Sequence, residues 1–141
     1  MATIKSYTDL SQSTVLAEIL PIESADMKWY FWKSEIDAPK LPTFGYGKDA
    51  AETCKSSEAV YLPCWSIAAL LAVLPKIGAE EPMIRKLYYA NEPKERYICE
   101  YGLTNITSEY DNPIDACYEM IIKMQGIVYF TKQSDNNIKL R

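Results

Sequence analysis

The chain predicts an α+β fold: a single domain in which a mainly antiparallel sheet, including one hairpin, packs against two or three helices. Three observations predict it. Residues 7–21 and 111–126 combine capping signals with apolar residues at helical spacing. Two segments of alternating apolar and charged residues flank the turn-like "NEPK". Finally, 141 residues, of which 48% are hydrophobic, suffice to bury about two thirds of the unfolded surface around one core.

The first helix is expected in "YTDLSQSTVLAEILP". Asp9 or Thr8 can cap it, and with Asp9 as the cap Gln12 completes a capping box. Leu16, Ile19 and Leu20 fall on one side, and the Pro21 ring ends the helix. In "MKWYFWKSE", Met27, Trp29 and Phe31 alternate with Lys28, Tyr30 and Trp32, which predicts a strand covered on both faces. Residues 36–58 are expected to form a long polar loop, with one short helix over residues 49–55; loops of this length are common places for binding. "AVYLP" predicts a short strand. The helix expected over residues 65–74 is apolar on every side and is therefore placed at the centre of the core.

"MIRKLYYAN" and "ERYICEYGL" form the predicted hairpin, with "TNITSEYD" as an added edge strand or a loop. "DNPIDACYEMIIKMQG" predicts the last helix: Asn112 is the cap, Pro113 opens the first turn, Asp115 and Glu119 lie near the positive end, and Gly126 is the stop. Ile114, Cys117, Tyr118, Ile121 and Met124 form its apolar stripe. "IVYF" predicts a last strand, and residues 131–141 a frayed tail.

Composition narrows the chemistry. Fifteen basic and nineteen acidic residues give a net charge of −4, and neither half of the chain is a basic arm, so a default affinity for phosphate backbones is not expected. The amino terminus lacks a secretory pattern, and the longest apolar run, residues 67–74, is far shorter than the roughly twenty residues of a membrane span; a cytoplasmic protein is expected. Cysteines 54, 64, 99 and 117 form no CxxC pair, and they read as small hydrophobes in a reducing compartment. No cofactor and no metal site is expected.

Cys64 stands before an apolar helix with Trp65 behind it, as in cysteine hydrolases, and a helix amino terminus favours a thiolate. Such an enzyme also needs a base that titrates near neutrality, and the chain contains no histidine. The same absence removes the Ser-His-Asp triad and histidine-containing zinc sites. Carboxylates remain: Glu23, Asp26, Glu35 and Asp37 surround the first strand and could serve acid-base or magnesium chemistry. "GYGKDA" fits a GxGxxA pattern, but "APKLPTF" before it is no buried strand, so the dinucleotide fingerprint lacks its context.

Eleven tyrosines and three tryptophans are many for this length. Tyr88, Tyr89, Tyr97 and Tyr101 crowd the hairpin, and tyrosine serves both as sheet packing and as a rigid contact surface. "YTDLSQSTVLAEILPIESADM", "LPCWSIAALLAVLP" and "DNPIDACYEMIIKM", in that order, resemble a family of short proteins of unassigned function from gut anaerobic bacteria and their prophages. The likeness covers about a third of the chain. It implies a phage or mobile-element setting and assigns no catalytic residue, ligand or activity. The sequence therefore favours a small non-catalytic protein acting by protein–protein contact, an accessory or regulatory factor. Its expected contact residues are Phe44 and Tyr46 in the loop and Tyr88, Tyr89, Tyr97 and Tyr101 on the hairpin. Two alternatives stand beside it: an enzyme using carboxylates or the Cys64 thiol, and an accessory protein that binds nucleic acid with Arg85, Lys86, Lys94 and Arg96 near the aromatic residues.

Overall fold

The computed structural model describes residues 5–32, 43–44, 59–102, 105–125, 128–129 and 139–140. It is an α+β structure of three α-helices and three antiparallel sheets among these residues. Helix α1, Leu10–Ile19, opens on Asp9 with both halves of the capping box: the Asp9 carboxylate accepts from the Gln12 amide at 2.7 Å, and the Gln12 side chain accepts from the Asp9 amide at 3.2 Å. Thr8, the rival cap, is instead fully buried. The chain leaves α1 at Leu20 in an extended conformation, as Pro21 requires, and makes one 3-10 turn over Ile22–Ser24.

Strand β1, Met27–Trp32, is the centre of the first sheet. It pairs with β3, Ala59–Cys64, from Met27 opposite Cys64 to Trp32 opposite Ala59. Its other edge pairs with β2, Thr43–Phe44. The expected loop over 36–58 is thus interrupted by a strand too short to show a period of two in sequence. The short helix expected at residues 49–55 lies outside the described residues.

Helix α2 runs over Ile67–Val73 and is capped by Ser66, whose hydroxyl accepts from the Ala69 amide. It begins two residues later than expected, so Cys64 ends a strand and does not sit on a helix amino terminus. Nor is it apolar on every side in the core sense, since Ala68 and Ala72 face solvent. The centre of the core is α3, Pro113–Met124, in which Ile114, Ala116, Cys117, Met120, Ile121 and Met124 are all fully buried. Asn112 caps α3 by accepting from the Asp115 amide at 2.9 Å, and Pro113 occupies the first turn, where its missing N–H costs nothing. Leu16 and Leu20 of α1, Trp65, and Leu70 and Leu74 from around α2 pack on this stripe.

The second sheet has the order β4–β5–β6, with β4 at Pro82–Leu87, β5 at Arg96–Tyr101 and β6 at Asn105–Ile106. The expected hairpin is β4–β5, and "TNIT" supplies the edge strand. Pro82 opposite Tyr101 and Ile84 opposite Cys99 share the face turned to α3; Met83 opposite Glu100 and Arg85 opposite Ile98 share the other. Gly102 follows β5 at φ +54°, a left-handed conformation, and a Cβ there would meet a Glu80 carboxylate oxygen at 2.7 Å.

Beyond β6 the ladder slips. Ile106 stands opposite Glu100, yet the next bridge joins Tyr110 to Tyr97, so four steps of one chain span three of the other. This is a β-bulge. Thr107 holds it open: its amide donates to the Cys99 carbonyl, its hydroxyl accepts from the Cys99 amide, and the same hydroxyl donates to the Ser108 carbonyl, each at 3.0 Å. In unbroken register Tyr110 would stand opposite Arg96 on the outer face. The extra residue turns it to the α3 side, where it packs against the core.

Thr8 ties the start of α1 to the end of the first sheet. Its amide donates to the Trp65 carbonyl at 3.0 Å and its hydroxyl accepts from the Trp65 amide at 3.1 Å. The hydroxyl also meets the Ser13 hydroxyl at 2.8 Å, and the Thr8 carbonyl accepts from the Trp29 indole at 3.2 Å. Beside it Met27, Trp29 and Cys64 form a second apolar cluster, with the Tyr7 ring edge-on to Trp29 at 5.8 Å. Strands β7, Val128–Tyr129, and β8, Lys139–Leu140, pair with each other. Within the segment expected to be a frayed tail, Lys139 and Leu140 are therefore in a ladder.

Candidate functional site

The hairpin separates its four tyrosines by position. Tyr88 and Tyr89 lie just past β4, in the connection to β5, and are 71% and 44% exposed. Tyr97 and Tyr101 are 8% and 0% exposed. The expectation that all four form a contact surface is therefore corrected. Tyr97, Cys99 and Tyr101 share the α3 side of β5, and Tyr101 is among the largest fully buried side chains of the core. Met83, on the opposite face of β4, is 56% exposed, and Ile106 is 40% exposed. Phe44 belongs to β2, in a different sheet from Tyr88 and Tyr89, and Tyr46 lies outside the described residues.

The exposed tyrosines are held by neighbours. The Tyr89 hydroxyl donates to Glu109 at 2.6 Å, a bond that pushes its pKa up. The Lys86 ammonium lies 5.6 Å from the centre of the Tyr88 ring and 6.0 Å from that of Tyr97, within cation–π range. Lys86 also pairs with Glu95 at 3.0 Å, and this contact raises the lysine and lowers the glutamate. Arg96 pairs with Glu92 at 3.1 Å and Arg85 with the buried Glu100 at 2.6 Å. Three of the four cations considered for nucleic acid are thus already matched by carboxylates of this chain, which is not the electropositive groove that a phosphate backbone requires.

The proposed chemical groups have structural employment. Cys64 is fully buried, and burial pushes its thiol up, outweighing hydrogen bonds from Thr8 and Ser13; its S–H lies 3.4 Å from the Thr8 carbonyl. That environment suppresses the thiolate a nucleophile needs. Asp26 accepts from both the Ser66 amide, at 2.9 Å, and the Ser66 hydroxyl, fixing the start of α2. Glu23 sits in the 3-10 turn, while Glu35 and Asp37 lie outside the described residues. Among the described residues no group of three or more cysteines or carboxylates could hold a metal ion, and no helix is long and apolar enough to cross a membrane.

A second surface feature escaped the sequence. Where the amino ends of α1 and α3 meet, a shallow pocket of about 470 Å³ is lined by Lys5, Asp9, Asp115 and Glu119, with Tyr110 and Tyr118 among its walls. Lys5 bridges Asp9 at 2.8 Å and Asp115 at 2.9 Å. Partial burial raises the Asp115 carboxyl, but bonds from Asn112, Lys5 and Gln12 outweigh it and hold the group below its ordinary value. Asp9 is lowered in the same way by Gln12 and Lys5, and Glu119 by Tyr110 and Ser108, each against the effect of burial. The bond to Glu119 pushes the Tyr110 phenol up to about 12. The polar atoms of this network largely satisfy one another, as a junction between helix caps does. Only the pairing of residues 5, 9, 115 and 119 across the fold creates it, and no local pattern announces that.

No family model, no curated protein and no solved structure matches the chain.

Proposed function

We propose that the protein works by contact, recognising a protein partner through the tyrosine-rich turn after β4. The observation that carries this reading is the exposure of Tyr88 and Tyr89, at 71% and 44%, on a hairpin whose other tyrosines are buried. Large amphipathic rings with few rotatable bonds lose little entropy on docking and supply most of the energy at protein interfaces. The Lys86 ammonium beside Tyr88 and the hydrogen bond from Tyr89 to Glu109 hold the two rings in place before any partner arrives. Met83, toward the other end of β4, is a further exposed apolar side chain on the hairpin. The likeness of the three helical blocks to proteins of gut bacteria and their prophages supports a host or phage protein as the partner and a regulatory or accessory role.

The test is affinity capture from a host extract with the wild-type chain and with a Tyr88→Ser, Tyr89→Ser double variant, quantified by mass spectrometry. Loss of two anchoring rings is expected to weaken a specific partner by about 30-fold or more, the factor that separates anchor residues from bystanders. Both chains should melt at the same temperature, because the rings make few core contacts. Equal retention of the same proteins by both chains would refute the reading.

A further inference from the structure

Strand β4 has a neighbour on one edge only. Among the described residues no strand pairs with its other edge, and no residue from 81 to 90 is buried, whereas every residue of β5 after Arg96 is. The bonds of β5 tell which groups that edge presents. The Cys99 amide and carbonyl bond to Thr107, and those of Tyr97 to Tyr110, so both residues direct their backbone away from β4. Ile84 opposite Cys99 and Lys86 opposite Tyr97 are therefore the pairs without mutual hydrogen bonds, and the amides and carbonyls of Ile84 and Lys86 point outward from the sheet. Pro82 turns its carbonyl the same way, and the amide it lacks belongs to the open edge, where a proline is tolerated. The opposite margin of this sheet offers no such row, because the bulge at Thr107 breaks it.

The side chains along this edge are ordered by charge. Glu80 and Glu81 precede the strand, Met83 and Ile84 occupy its middle, and Arg85 and Lys86 follow; all but Ile84 are exposed. In reverse the order is positive, apolar, negative, so the stretch complements itself. An antiparallel copy brings carboxylates to cations at both ends, whereas a parallel copy would set like charges side by side. Charges on an edge strand ordinarily keep foreign strands away. In this order they admit one particular strand.

We infer that the protein self-associates through β4: the strand of one copy pairs antiparallel with that of a second across a twofold axis, Ile84 facing Ile84, and the two three-stranded sheets become one. In this register each Ile84 amide donates to the Ile84 carbonyl of the second copy, and each Lys86 amide to its Pro82 carbonyl. Moving the axis to Met83 would align the charges directly, but it would set Ile84 opposite Pro82, which has no amide to give, and Lys86 opposite Glu80, whose backbone is bonded to Ile77. The backbone therefore decides for Ile84. On the outer face Met83 then stands opposite Arg85 of the second copy, the two Met83 side chains meet diagonally at the axis, and Glu81 lies diagonal to Arg85. Glu81 is available, since its contact with Lys76 is a loose 3.8 Å, and the half-exposed Arg85 guanidinium has donors beyond the one that reaches Glu100. Both copies use the same patch, as in the commonest symmetry of soluble oligomers. The inference does not rest on the tyrosine turn, which lies beyond the end of β4.

The test is sedimentation of the full-length chain from about 1 µM to about 1 mM, a span that covers weak and moderate affinities. The mass is expected to rise from 16.1 kDa toward twice that value, and to rise less in added salt, which screens the contacts between Glu81 and Arg85. Met83→Lys puts an ammonium opposite Arg85 of the second copy. Because Met83 is exposed, this variant should melt like the wild type at low concentration, while its self-association should be weaker by about 30-fold or more. Amide hydrogen exchange on the wild type reads the register without a substitution. The Ile84 and Lys86 amides should gain protection at high concentration, while those of Met83 and Arg85, bonded to β5, are protected throughout. A chain that stays at 16.1 kDa over the whole range would overturn the inference, as would an unweakened Met83→Lys dimer or equal exchange of the Ile84 and Lys86 amides at both ends of it.

Discussion

Replacing Thr8 by valine tests the joint between α1 and the first sheet. The side chains are nearly isosteric, and the Thr8 amide and carbonyl keep their bonds to Trp65 and Trp29. What disappears is the hydroxyl that accepts the Trp65 amide at 3.1 Å and meets Ser13 at 2.8 Å, in a site with no exposure at all. Leaving a buried donor unpaired costs about 1–3 kcal/mol, and Ser13 adds to this to the extent that it finds no new partner, so about 2–3 kcal/mol is expected. Thr8→Ser keeps the hydroxyl and loses one methyl, worth about 1 kcal/mol. Urea unfolding followed by tryptophan fluorescence reads both. With a slope of about 2 kcal/mol per molar, the valine midpoint should fall by about 1–1.5 M and the serine midpoint by about half a molar. If the valine variant proves as stable as the serine variant, the hydroxyl does not hold the joint.

Two further outcomes follow from the charged and thiol groups. Asp9, Asp115 and Glu119 all have folded pKa values below their ordinary ones, so the stability they contribute is complete above the unfolded values, about 4, and disappears as pH falls through the lower folded values. Asp115→Asn should therefore lower the melting temperature at pH 7 and cease to differ from wild type near pH 2; a difference that stays constant across that range would count against the Lys5–Asp115 contact. Cys64 should alkylate in the native chain at least about tenfold more slowly than free cysteine at pH 8, since burial raises its thiol. Mass-spectrometric mapping of the 56–76 peptide measures this, and a free-cysteine rate would show that the thiol is open to solvent.

Local chemistry was the legible part of the sequence. The Asp9–Gln12 box and the Asn112–Pro113 start each lie within four residues, and the helices begin where those signals stand. The hairpin was legible for the same reason. The tyrosines were not sorted correctly because exposure depends on which face of β5 meets α3, a long-range fact. A clue was present, since Tyr97, Cys99 and Tyr101 alternate with Ile98 and Glu100 and so share a face with a cysteine. The centre of the core was misplaced because α2 has no polar residue to mark its outer side; alanines there, at 68 and 72, tolerate water. The Thr8 hub and the pocket around Lys5 join residues more than fifty and one hundred positions apart, beyond the reach of any local pattern.

The slip between Thr107 and Tyr110 makes chain length matter at one place and not at another. Lengthening that stretch by one residue, with the bulge kept, would set Tyr110 opposite Arg96 on the outer face and swing its phenol away from Glu119, severing the tie between the sheet margin and the last helix. The segment carrying Tyr88 and Tyr89 has no such constraint, since it closes only the end of a hairpin. Descendants of this chain are thus free to vary the size of the tyrosine turn, and with it what they grip, while the opposite margin must keep its count.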